Sequence, residues 1–131
     1  MAADGLLTVA SAYGPKDTTD RLEAVVKAKG LIVCIDHAAG AGSVGLPLPP
    51  TAVLVFGNAR GGTPLMQAAQ TIGIDLPLKA LVWQDAAGKT LLSYNDPGWI
   101  AKRHGLGHEV EARVGALSTV LSGLAKAATS P

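Results

Sequence analysis

The chain has a single cysteine, Cys34, in 131 residues. One cysteine cannot form an intrachain disulfide, and no cysteine-based metal site can be assembled within one chain. No metal site is expected. Aromatic residues are scarce: Tyr13, Phe56, Trp83, Tyr94 and Trp99 are the full set. The core must therefore be built mostly of Leu, Val, Ile and Ala. Charge is scarce too, at 16%, with 11 Lys plus Arg against 10 Asp plus Glu. No basic block stands out, so the positive footprint left by nucleic-acid binding is missing. No run approaches the roughly 20 apolar residues of a membrane span. The N-terminal residues lack both the basic and the long apolar stretch of a secretory signal. The expectation is a cytoplasmic protein with neither a nucleic-acid nor a membrane partner.

What is present is a 48% apolar fraction in a length that suits one domain. A chain of this size buries roughly two-thirds of its unfolded surface. Low net charge with many apolar residues favours self-association, and a homodimer is expected.

Residues 6–12 are apolar and β-prone, a first strand broken by Gly14-Pro15. Asp17, Thr18 and Thr19 offer cap oxygens for a helix over 18–29, ended by Gly30. Residues 31–37 read as a second strand, with His37 on the face of Leu31, Val33 and Ile35. A small-residue turn or short helix follows, then Pro47, Pro49 and Pro50. Residues 52–56 make a third strand. Thr63-Pro64 reads as cap and first residue of a helix carrying Leu65, Met66, Ala69 and Ile72. Residues 78–84 and 89–94 form a hairpin around Asp85-Ala86-Ala87-Gly88. Asp96-Pro97 opens a short helix stopped by Gly105. Val110, Val114, Leu117, Leu121 and Leu124 recur at helical spacing in a last helix from Glu109. Residues 127–131 are expected to fray. This order, with an antiparallel hairpin, predicts an α+β fold: a mainly antiparallel sheet of about five strands packed against helices.

Several residues invite a functional reading. Gly57 and Gly62 have the glycine spacing of a phosphate-binding loop, but Thr63 and Pro64 stand where Lys and a hydroxyl are needed. That argues against a nucleotide hydrolase. Backbone N–H groups at the Thr63 helix start can hold a small anion, and a tight turn needing glycine is the plainer account. His37 can serve as base, ligand or core residue. Cys34 lies three residues earlier, on the opposite strand face, which argues against a shared metal. Lys79, Tyr94 and Asp96 are expected near one end of the hairpin. There they can bind an anion or move a proton, or form an ordinary ion pair and helix cap. Lys102, Arg103 and His104 read as complements to a helix dipole.

Six runs fall in order along the chain: Ile35-Asp36-His37-Ala38-Ala39-Gly40-Ala41, Phe56-Gly57-Asn58, Gly62-Thr63-Pro64-Leu65-Met66, Asp75-Leu76-Pro77-Leu78-Lys79, Ser93-Tyr94-Asn95-Asp96-Pro97 and Ala101-Lys102-Arg103-His104-Gly105. Together they resemble the family known as domain of unknown function 302. The resemblance implies a TATA-binding-protein-like, helix-grip fold with a curved antiparallel sheet, and a tendency to dimerise. It departs at Asn58-Ala59, where the family often has Asn-Pro. No established catalytic residues carry over from it, and the cofactor is left unknown. Three readings follow: a module that binds a small molecule through His37, Asn58, Thr63, Lys79, Tyr94 and Asp96; an enzyme using His37 with Lys79, Tyr94 or Asp96; or a structural, dimer-forming protein.

Overall fold

The computed structural model describes residues 3–131. In chain order it has β1 (Leu6–Ala10), α1 (Pro15–Val26), β2 (Leu31–Asp36), α2 (His37–Ser43), β3 (Thr51–Gly57), α3 (Ala59–Ala68), β4 (Leu78–Gln84), β5 (Thr90–Asn95), α4 (Pro97–Arg103) and α5 (Glu111–Thr129). Short 3-10 turns at Lys27–Lys29, Gln70–Ile74 and His108–Val110 extend or join the helices.

The five strands form one sheet in the order β1-β5-β4-β3-β2, with every neighbour antiparallel. The expected α+β architecture is therefore present. The first two strands are the two edges, so α1 must cross the sheet to connect them. Its apolar side, Leu22 and Val26, lies on the sheet face carrying Leu54, Phe56, Val82 and Leu92. The second half of α5 completes this cluster with Leu121, Leu124, Ala125 and Ala128. A second cluster, around Leu65, Ile72, Ile100 and Val110, takes in Val114 and Leu117 from the first half of α5. The apolar stripe read from the sequence thus spans two cores. The other sheet face carries Val33, Ile35, Val53, Val55 and Leu81 by register. Among the described residues no helix is long and apolar enough to cross a membrane.

The local chemistry moves several boundaries. Helix α1 begins at Pro15 with Gly14 as its cap residue. Thr18, expected at the helix start, is instead fully buried and its hydroxyl bonds the Ser11 hydroxyl at 2.7 Å. His37 does not end β2. Asp36 caps α2 by accepting from the Ala39 N–H at 3.0 Å, and His37 is the first helical residue. Thr63-Pro64 does not start α3. Asn58 does, and Pro64 lies inside the helix. Where fraying was expected at 127–131, α5 runs through Thr129, with Ala128 and Thr129 buried.

Candidate functional site

The turn from β3 into α3 builds the site. Gly57 has φ +150 and Gly30, across the sheet edge, has φ +137. Both lie where residues other than glycine are strained. A β-carbon on Gly30 would also collide with the Gly57 carbonyl oxygen. Asn58 fastens this corner from both ends. Its Oδ1 accepts from the Gly61 N–H at 3.0 Å, and its Nδ2 donates to the Lys29 carbonyl at 2.9 Å. The Phe56-Gly57-Asn58 run is thus a joint between the end of α1 and the start of α3.

Behind this joint lies a cavity of about 440 Å³. Its floor is Phe56 and Leu78 from the sheet, and its walls include Met66 from α3 and Leu117 and Val120 from α5. Leu76 and Pro77 also line it, as does the exposed Lys29. The volume falls in the range of small-molecule sites, which are concave and mostly apolar.

Gly61 and Gly62 form the α3 wall. Neither has a positive φ. A β-carbon on Gly61 would approach only Asn58 Oδ1 at 3.9 Å and Leu117 Cδ2 at 4.0 Å. Backbone strain and crowding therefore do not require glycine there. Each glycine in a helix costs up to about 1 kcal/mol relative to alanine. A β-carbon on Gly62 would make ordinary contacts with Met66 Cε at 3.5 Å and Leu76 Cδ1 at 3.6 Å, so its absence leaves that much more room in the cavity.

The residues singled out from the sequence do not converge. Asn58 lines the cavity. Thr63 is exposed on α3 and outside the lining. Lys79 pairs with Val55 on the outer sheet face, with its ammonium 3.4 Å from the Asp75 and Pro77 carbonyls. Tyr94 points to the opposite, inner face, in the main core. Burial pushes its phenol up, and the nearby Asp96 charge adds to this. Asp96 caps α4, accepting from the Gly98 N–H at 3.0 Å. His37 is exposed beyond Asp36, which pairs with Ala52. That places it roughly 10 Å along the strands and roughly 10 Å across the sheet from Lys79. Proton transfer needs hydrogen-bond reach, so the His37–Lys79–Tyr94–Asp96 arrangement has no geometric support. Burial first, then Glu23 and Asp36, raise the Cys34 thiol, which is the opposite of an activated nucleophile.

One cluster escaped the sequence reading. His104 Nε2 lies 2.5 Å from Asp75 Oδ2, and its Nδ1 lies 2.9 Å from the Thr71 hydroxyl. Arg103 donates to both Asp75 oxygens at 2.9 Å. Partial burial pushes the Asp75 carboxyl up, but the His104 hydrogen bond and the Arg103 charge outweigh it and hold it below its ordinary range. Hydroxyl, imidazole and carboxylate in this order resemble a hydrolytic relay. None of the four residues lines the cavity, however. The cluster ties the end of α4 to the chain leading into β4, and serves as a strut.

The pattern of the family described as Domain of unknown function DUF302 matches residues 7–124. The crystal structure of an uncharacterized conserved DUF302 protein from Bacillus stearothermophilus aligns with a TM-score of 0.82 at 19% identity, over 96% of this chain and 99% of that one. That likeness concerns the fold alone. The fluoride-specific ion channels FluC 1 of Brucella suis and of Brucella abortus are each 46% identical to the chain over 117 residues. The match covers 88% of this chain but 46% and 43% of those proteins. The chain therefore spans less than half the length of these relatives.

Proposed function

The chain belongs to the DUF302 family, and from that premise we propose that it is a binding module holding a small, largely apolar molecule between the sheet, α3 and α5. The observation that carries this reading is the apolar cavity beside two helical glycines that neither backbone strain nor packing requires. Less than half of each channel corresponds to this domain, and we assign the channel activity to the remainder. The exposed thiol of Cys34 suits a reducing compartment, so we place the module in the cytoplasm.

The test uses octan-1-ol as a neutral probe in a chemical-shift titration. Saturable shifts at the Gly57, Gly61 and Gly62 amides are expected. Gly61→Leu should abolish them while thermal stability holds or rises, because leucine is the better helix former by up to about 1 kcal/mol. An absence of saturable shifts at these amides in the unmodified protein would reject the cavity reading.

We also infer that the module pairs with a second copy through the outer sheet face. Val33 and Ile35 are 47% and 46% exposed there. Five strands span roughly 20 Å by 20 Å, on the order of 400 Å². Val44, Leu46 and Leu48, on the segment leading into β3, are exposed as well, and a standard interface takes ~800 Å² per partner. Light scattering on a sizing column should give the mass of a dimer. The double variant Val33→Lys, Ile35→Lys should elute as a monomer with its far-UV spectrum intact. A monomeric unmodified chain at tens of micromolar would dismiss the pairing.

A further inference from the structure

The cavity has an uneven distribution of polar groups. Its single ionisable lining residue is Lys29, which is exposed, and no acidic side chain lines it. The polar side chain on the α3 side is engaged with the backbone. Asn58 is bonded at both its oxygen and its nitrogen, and the Gly61 N–H is bonded to Asn58. No buried side-chain nitrogen or oxygen among the described residues lacks a partner. Floor and walls offer Phe56, Leu78, Met66 and Leu117. A polar group carried down to the Phe56, Leu78, Met66 and Leu117 surface would lose its water against hydrocarbon, which is costly. It must therefore stay at the mouth, where Lys29 is exposed. No ion pair to Lys29 occurs among the described residues.

We infer that the ligand is an amphipathic anion: an unbranched or small-ring apolar body in the cavity, with a carboxylate or similar single negative head beside the Lys29 ammonium. A cationic head would meet like charge at the mouth, and a neutral head would gain no attraction there. This inference rests on the cavity reading above.

Three probes of equal chain length separate the two claims: octanoate, octan-1-ol and octylammonium, each titrated against the unmodified protein and Lys29→Met. The methionine keeps an unbranched stem and removes the charge. Octanoate is expected to bind at least about fivefold more tightly than octan-1-ol, the gain of one partly screened ion pair. Octylammonium should bind most weakly. Lys29→Met should bring octanoate to the level of octan-1-ol and leave octan-1-ol unchanged, and added salt should narrow the difference. If octan-1-ol and octanoate bind equally, the anionic head is refuted; if the octanoate advantage survives Lys29→Met, the pairing of that head with Lys29 is refuted; in either case the apolar cavity stands. If none of the three binds at the Gly61 and Gly62 amides, both readings are overturned.

Discussion

Asp75→Ala is expected to lower stability by about 3 kcal/mol, the upper end of the cost of leaving a largely buried hydrogen-bonding group without its partner. For a chain of this size that corresponds to a drop of roughly 10 °C or more in the melting midpoint. The magnitude rests on exposure. The side chain of His104 is 8% exposed and that of Asp75 15%, whereas Arg103 is 51% exposed. The His104–Asp75 contact is therefore shielded from water, and the Arg103 contact is screened and worth less. Removing the carboxylate strands the imidazole between Thr71 and an empty site. His104→Gln should cost less, because an amide nitrogen can still donate to Asp75. The dependence on pH has a definite sign. The folded carboxyl titrates below its ordinary value of 3.8, so the unfolded chain takes up the proton first as the solution is acidified. The stabilisation is complete above that value and is lost as pH falls through the lower, folded one. Urea titrations at neutral pH and in the acid window should show this loss in the unmodified protein and a flatter profile in Asp75→Ala. Equal midpoints for the two proteins at neutral pH would reject the strut.

That strut marks the boundary between what local sequence specifies and what it leaves open. The β4–β5 hairpin and the α5 stripe are local, and their turn residues and spacing made both legible. Helix starts were less so, because each has competing caps. Thr63-Pro64 has the expected form of a helix start, but Asn58 takes that role by bonding Lys29 as well as Gly61. A proline inside a helix costs about 3 kcal/mol. Capping by Asn58 and the burial of Leu65 in the second core offset it. His37 was read as a strand end because apolar alternation continues to Ile35, but Asp36 caps the chain into a helix before alternation can. Arg103 and His104 were read only against their own helix, since Asp75 lies 28 and 29 residues earlier. Their occurrence within two of the ordered motifs was the available signal. The cavity had no sequence signature beyond Gly61-Gly62, which also fits a tight turn. Only the placement of these glycines inside a helix, where neither strain nor crowding demands glycine, separates the two accounts.

Deleting residues 127–131 is expected to lower stability by about 2–4 kcal/mol, although composition alone suggests a dispensable tail. Ala128 is fully buried and belongs to the main core with Leu22 and Val26. Its loss opens a methyl-sized void, which costs about 1 kcal/mol. The Thr129 carbonyl accepts the Ala12 N–H at 2.9 Å, and the Ser130 carbonyl accepts the Tyr13 hydroxyl at 3.2 Å. These bonds hold the segment between β1 and α1, and each contributes about 1 kcal/mol net. Tyr13 also stacks on Arg21, whose guanidinium carbon lies 3.7 Å from the ring centre. Freeing Tyr13 therefore loosens the start of α1 as well as the end of α5. Hydrogen exchange separates this from a general loss of stability. The Ala12 amide should lose its protection in the deletion variant by more than the fall in global stability accounts for, while amides of β4 follow the global value. Ala128→Leu should destabilise in the same direction by overpacking, at about 1–3 kcal/mol, with the Ala12 amide still protected. A deletion variant with an unchanged midpoint and a protected Ala12 amide would return the tail to the frayed state that its sequence suggests.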